Sequence, residues 1–142
     1  MSIRIDSPHP DLAVAEAERY FKFLLPSLEY GGVEADLEVF TEQVGNGDCL
    51  LIRAWLADEL LSVTAVKVRE VNGTRDLYVI ATAGTLFRKW AQQLGEVFDK
   101  LAAEADCDTI TMQTRAGMDK LCKPYGYQLH QIILQKNLRS EQ

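Results

Sequence analysis

Leu77-Tyr78-Val79-Ile80-Ala81, then Phe87 to Ala105, then Thr109-Ile110-Thr111-Met112-Gln113-Thr114: the order of these three segments decides the fold. The first is a β-branched and aromatic run bounded by Gly84. In the second, Phe87, Trp90, Ala91, Leu94, Val97, Phe98, Leu101, Ala102 and Ala105 recur at helical spacing and share one face. Arg88, Lys89, Gln92, Gln93, Glu96, Asp99, Lys100 and Glu104 fall on the other. The third alternates like a half-buried strand. A strand–helix–strand of this length predicts a right-handed crossover joining parallel strands.

Downstream, Gly117 to Tyr125 reads as a short helix stopped by Pro124 and Gly126, and Gln128 to Leu138 as a last strand around Ile132-Ile133-Leu134. Upstream, Asn72-Gly73 is a strong type I′ hairpin signal, since both central residues of that turn need positive φ. It joins strands over Leu60–Glu70, with Val63, Ala65, Val66 and Val68 as apolar members, and Thr74–Ala83. Ala57-Asp58-Glu59 links Leu60–Glu70 to a strand over Cys49–Trp55, so an antiparallel meander feeds the crossover. Two helices precede it. Leu12–Leu25, capped by Asp11, presents Val14, Ala17, Phe21, Leu24 and Leu25. Glu29–Gly32 is a loop, and Pro26 need not end the helix before it. Val33–Val44 presents Val33, Leu37, Phe40 and Val44, and the glycines of Gly45-Asn46-Gly47-Asp48 end it. Ser2–Ile5 is a candidate first strand. The expected class is α/β with a mixed sheet, in one domain spanning residues 1–142.

The composition is 47% hydrophobic and 25% charged, an ordinary globular balance. A net charge of −6 argues against the phosphate backbone of nucleic acid as a partner. No apolar run approaches a membrane span; Leu50-Leu51-Ile52 is already interrupted by Arg53. Met1–Pro10 lacks the apolar core of a signal peptide, so the expected location is a cytosol, or a virion assembled there. Cys49, Cys107 and Cys122 form no close pair and read as reduced thiols, and His9 and His130 stand at no metal-ligand spacing with them. No metal is expected.

The order strand, long helix, strand, short helix, then Lys123-Pro124-Tyr125-Gly126-Tyr127 and a last strand resembles the second half of the GNAT (acetyl-CoA-dependent N-acyltransferase) fold. There a Gly-Phe or Gly-Tyr pair follows the short helix, as Gly126-Tyr127 does here. More narrowly, the Trp90–Ala102 pattern, Cys107, Arg115-Ala116-Gly117 and Pro124-Tyr125-Gly126 resemble short GNAT-like proteins of tailed phages. The resemblance implies a fold of two N-terminal helices, antiparallel meander, then strand–helix–strand–short helix–strand. It implies acetyl-CoA as cofactor and, on the phage likeness, a virion or host protein as partner, with self-association left open.

On that resemblance, the coenzyme A pyrophosphate would lie at the start of the long helix. Glycine-rich backbone and a helix N-terminus favour anions there. The corresponding residues are Ala81, Ala83, Gly84, Thr85 and Arg88, with a single glycine where the family has two. The plainer reading is that Gly84 ends a strand and Thr85 caps a helix with its hydroxyl. The family's general acid, a tyrosine four residues before the glycine of the Gly-Phe pair, aligns with Cys122, and Tyr125 is the nearby phenol. The plainer readings are a small buried thiol and a packing ring. Glu59, Glu70 and Asp76 flank hairpins and read as surface charges. Arg115, Lys120, Lys123 and Lys136 read as a solvated basic face, and neither a nucleophile elbow nor a P-loop is present. Two functions follow. One is a GNAT-fold protein with a degenerate acetyl-CoA site, weakly catalytic or non-catalytic, serving in a phage virion, in assembly or in host interaction. The alternative is an active N-acyltransferase acting on an amine or lysine.

Overall fold

The computed structural model describes residues 2–30 and 36–112, with the side chains of 26–30 and of Phe87 left aside. Its elements run β1 (Ile3–Asp6), α1 (Pro10–Ala15), α2 (Ala17–Tyr30), α3 (Leu37–Asn46), β2 (Leu50–Leu56), β3 (Glu59–Val71), β4 (Thr74–Gly84), α4 (Phe87–Glu104) and β5 (Thr109–Met112). The expected short helix and last strand, with Cys122, Tyr125 and the Gly126-Tyr127 pair, lie outside the described residues.

The strands form one sheet in the order β1-β2-β3-β4-β5. The first four pair antiparallel. β5 lies parallel to β4, with Asp76 opposite Thr109 and Val79 opposite Met112, as the crossover requires. At the β3–β4 turn Asn72 and Gly73 both have positive φ, 52° and 80°, the geometry that the Asn-Gly pair predicts. The β2–β3 turn takes only Ala57 and Asp58, because Glu59 already pairs with Leu56.

The helices cover both faces of the sheet. Ala13, Ala17, Phe21, Leu24, Phe40 and Val44 pack with Leu51, Val63, Ala65 and Ala81 on one side. Trp90, Leu94, Phe98 and Ala102 of α4 pack with Ile52, Ala54, Leu61, Val66, Leu77 and Val79 on the other. Alternate strand residues supply the two cores, which is why β2 to β4 read as near-continuous apolar runs.

Several local expectations need correction. The N-cap of the first helix is His9, whose Nδ1 accepts the Asp11 N–H at 3.2 Å; Pro10, pre-set in φ, starts the helix one residue before Asp11 could cap it. The helix then breaks at Glu16 and resumes as α2. Its core stripe runs Ala13, Ala17, Tyr20, Phe21, Leu24, so Val14, one residue round from Ala13, is left 40% exposed. Glu29 and Tyr30 belong to α2 rather than to a loop. The second long helix starts at Leu37, because the Asp36 carboxylate accepts the N–H groups of Glu38 (2.8 Å) and Val39 (3.2 Å). It runs two residues past the expected Val44, through Gly45, and ends at Gly47, the glycine of that stretch that takes the left-handed cap. Val68 is exposed rather than core, because it lies beyond the end of β2.

One buried group is unsatisfied. The Thr64 hydroxyl, in the middle of β3, is fully buried and has no hydrogen-bond partner among the described residues. Thr64→Val keeps the shape and removes the desolvated hydroxyl. It is expected to raise the urea midpoint by an amount worth about 1 kcal/mol; an unchanged or lower midpoint would show that the hydroxyl is satisfied in solution.

Candidate functional site

Two irregularities on β4 shape the candidate site. The first is a bulge. Ala65 pairs with Ala81, but Val66 pairs with Val79, so Ile80 is an extra residue with no partner on β3. A bulge re-aims the backbone of its strand. The described parallel ladder to β5 covers Asp76 to Val79, so Ile80 is the first residue of β4 beyond it.

The second irregularity is the passage from β4 into α4. Gly84 is there for close approach: a β-carbon on it would lie 2.3 Å from the Leu61 carbonyl oxygen. Thr85 donates its N–H to that same oxygen at 3.0 Å. Leu86 then turns left-handed, with φ 58°, and α4 begins with no side-chain cap. The hydroxyl cap expected of Thr85 is therefore not made. The left-handed turn places Leu86, not Thr85, at the capping position, and leucine carries no acceptor. Trp90, one turn along, donates its indole N–H to the Thr85 carbonyl at 2.6 Å and so clamps the turn. The first-turn N–H groups of α4 lie beside the exposed side chains of Arg88 and Lys89. An uncapped helix start flanked by two cations attracts anions.

The other expected ligands divide. Arg88 is at the helix start. The side chains of Ala81 and Ala83 pack into the core with α2, so only their backbone could meet a ligand. Cys122 and Tyr125 lie outside the described residues.

The carboxylates give a clearer correction. Glu59 and Glu70 are exposed, as expected, but Asp76 is only 3% exposed. Its Oδ1 accepts the hydroxyls of Thr109 and Thr111, both at 2.8 Å, and its Oδ2 accepts Arg69 Nε at 2.8 Å. The Arg69 guanidinium carbon lies 4.0 Å from the centroid of the Tyr78 ring. One carboxylate thus ties β3, β4 and β5 together at the hairpin end of the ladder. The alternation Thr109-x-Thr111 was its only sequence signal, and it acquires meaning only with the parallel register.

A second polar network joins β1 and β2 to α2. Arg53 donates to Asp6 Oδ1 (2.7 Å) and to the Tyr20 hydroxyl (2.9 Å), and Tyr20 donates to Glu16 (2.7 Å). The Trp55 indole also reaches Asp6 Oδ1, at 3.2 Å, with the guanidinium groups of Arg4 and Arg53 each about 5 Å from its ring. Burial alone would lower the Arg53 pKa, but its bonds to Asp6 and Tyr20 outweigh that and hold it above the usual value. Burial, followed by the bond to Glu16, pushes the Tyr20 phenol up. Every polar group named in this network has a partner, which suits a structural tie better than a reactive group.

No family model and no curated protein matches the chain. Solved structures do. A GCN5-related N-acetyltransferase from Ralstonia eutropha superposes with a TM-score of 0.74 at 10% identity, covering 96% of this chain and 99% of its own. An aminoglycoside acetyltransferase from an uncultured soil metagenomic sample gives 0.70 at 15% identity, covering 97% and 99%. A "predicted acetyltransferase" from Clostridium acetobutylicum, crystallised with acetyl-CoA, gives 0.61 at 16% identity, covering 98% of each. At such identities the likeness is one of architecture: this chain has the fold of the GNAT acetyltransferases.

Proposed function

We propose that the chain binds an acyl-CoA thioester along β4 from Ile80 to the start of α4 and transfers the acyl group to an amine. The observation that carries this reading is the bulge at Ile80 on the strand that ends at the uncapped, cation-flanked start of α4. Four strand steps from Ile80 to Gly84 span about 13 Å, on the scale of a pantetheine arm between a thioester and a pyrophosphate. Backbone N–H groups between Ile80 and the first turn of α4 would then face charge at both ends. At one end is the oxyanion that forms when the amine attacks; at the other is the pyrophosphate. The attack forms the C–N bond, collapse breaks the C–S bond, the nitrogen loses a proton and the thiolate takes one up. Tyr125 and Cys122 are the proposed proton donors, by the sequence resemblance alone.

The anchor is a weak one. A helix end contributes about 0.3–1 kcal/mol to holding an anion. Gly84 and the Thr85 N–H are already engaged with Leu61. That engagement favours the second reading, in which the fold is kept and catalysis lost. The protein would then serve a phage particle, its assembly or a host target, the phage part resting on the sequence resemblance.

Titration calorimetry and a thiol-release assay with acetyl-CoA separate the two. Catalysis predicts a Kd near or below about 1 mM, about −4 kcal/mol, with Arg88→Glu weakening it severalfold and coenzyme A appearing when an amine is supplied. No heat and no thiol at millimolar acetyl-CoA would leave the second reading standing.

A further inference from the structure

The sheet face beneath α4 holds a buried hydroxyl that has no use in the free protein. Val63 and Ala65, on either side of Thr64, pack into the core with α2, so Thr64 faces α4. Ala81 and Ala83 place Thr82 on that same face by the same alternation. The two threonines stand directly opposite each other in the β3–β4 register, at a cross-strand separation of about 5 Å between β-carbons. On its other side Thr64 is opposite Ile52 of β2, whose side chain offers no polar atom. Threonines facing across a ladder commonly share a hydrogen bond. Here the Thr64 hydroxyl is fully buried and has no partner among the described residues. Thr82 is half-buried and lies beyond the described ladder to β5, so water serves its hydroxyl instead. A hydroxyl left buried and unbonded costs stability, and it calls for a partner that the free protein lacks.

We infer, on the acyl-CoA reading above, that Thr82 contacts an amide of the pantetheine arm and that Thr64 is the positioning residue behind it. Thr82 lies midway between Ile80 and Gly84, the two ends of the path along β4. The middle of the arm is where pantetheine carries its amides. When the arm covers Thr82, the water on its hydroxyl is expelled. The Thr82 O–H then donates to an amide carbonyl of the arm, and its oxygen accepts the Thr64 O–H. Each hydrogen bond in such a chain polarises and strengthens the next. Thr64 never touches the ligand, yet its hydroxyl is satisfied only in the complex. A group that destabilises the free protein and is met in the bound state is the usual exchange of stability for function.

The test is titration calorimetry of acetyl-CoA on the full chain and on Thr64→Val, Thr64→Ser, Thr82→Val and the double valine variant. Circular dichroism and urea midpoints check that each folds. Thr64→Val is expected to be more stable than the wild type without ligand, and yet to bind acetyl-CoA about three- to tenfold more weakly. Thr64→Ser, which keeps the hydroxyl, should hold close to the wild-type Kd. In the Thr82→Val background, Thr64→Val should cost no further affinity, because the contact it supports is already gone. Four results would each overturn the assignment and leave the acyl-CoA reading in place: an unchanged or tighter Kd for Thr64→Val, a loss that persists in Thr82→Val, a Thr64→Ser Kd as weak as that of Thr64→Val, or a ligand-free midpoint that fails to rise. No heat from the wild type at millimolar acetyl-CoA would remove that reading and the assignment with it.

Discussion

Replacing Asp76 by alanine is expected to lower stability by about 3 kcal/mol and the Tm by about 10 °C. The carboxylate is almost fully buried and accepts three hydrogen bonds, from Arg69, Thr109 and Thr111. Removing it leaves the half-buried Thr111 hydroxyl without its acceptor, at a cost of about 1 kcal/mol, while the exposed Thr109 hydroxyl can turn to water. It also deprives the Arg69 guanidinium of its counter-charge. Arg69 is 36% exposed, so water takes over part of that loss, which holds the figure toward the low end for a broken buried pair. Asp76→Asn should recover only part, since its amide N–H₂ faces donors where the carboxylate offered a second oxygen.

The effect should be local as well as global. Among the described residues β5 is held to β4 by four residue pairs, two of them reinforced by Thr109 and Thr111. Amides of β5 should therefore exchange faster in Asp76→Ala than those of β2 and β3. A double-mutant cycle between Asp76→Ala and Thr111→Val measures the shared term. Additive losses would show that the carboxylate and the hydroxyl do not act together, and the clamp would be discarded.

Alkaline pH is the second large lever. Burial pushes the Cys49 thiol from 9.0 up to about 12, with Lys67 pulling the other way. The folded state therefore favours the protonated thiol more than the unfolded chain does. The associated stability is fully present below pH 9 and is lost as pH rises from 9 toward about 12. Three units at 1.36 kcal/mol each set a ceiling of about 4 kcal/mol. Tyr20, raised from 10.0, acts in the same direction from pH 10 upward. Urea midpoints at pH 7, 9 and 10 should fall over the last step. Cys49→Ala should start lower at pH 7, because it opens a small cavity, and then fall less steeply between pH 9 and 10. A parallel decline in the two proteins would assign the alkaline loss elsewhere.

The sequence by itself determined the order of elements along the described chain, the Asn72-Gly73 hairpin, the buried face of α4 and the parallel placement of β4 and β5. These are short-range matters. Periodicity of 2 or 3.6, left-handed turn residues and the length of a crossover act within a few residues and depend little on what packs against them. It misplaced helix boundaries where one side chain settled the issue, as the Asp36 carboxylate did for α3 and His9 with Pro10 did for α1.

Tertiary structure alone decided what depends on register. Asp76 read as a surface charge because it flanks the Asn72-Gly73 hairpin. It is buried because a parallel strand 33 residues away presents Thr109 beside it. Ile80 read as one more apolar strand residue, and only its lack of a partner on β3 marks it as the bulge. The start of α4 read as a threonine cap, and only the left-handed turn at Leu86 leaves it without a side-chain cap. Likewise, only the register shows that β3 runs five residues past Val66, its last partner on β2 among the described residues. A side chain's chemistry is written in the sequence, but its desolvation and its partners are set by which distant backbone arrives beside it.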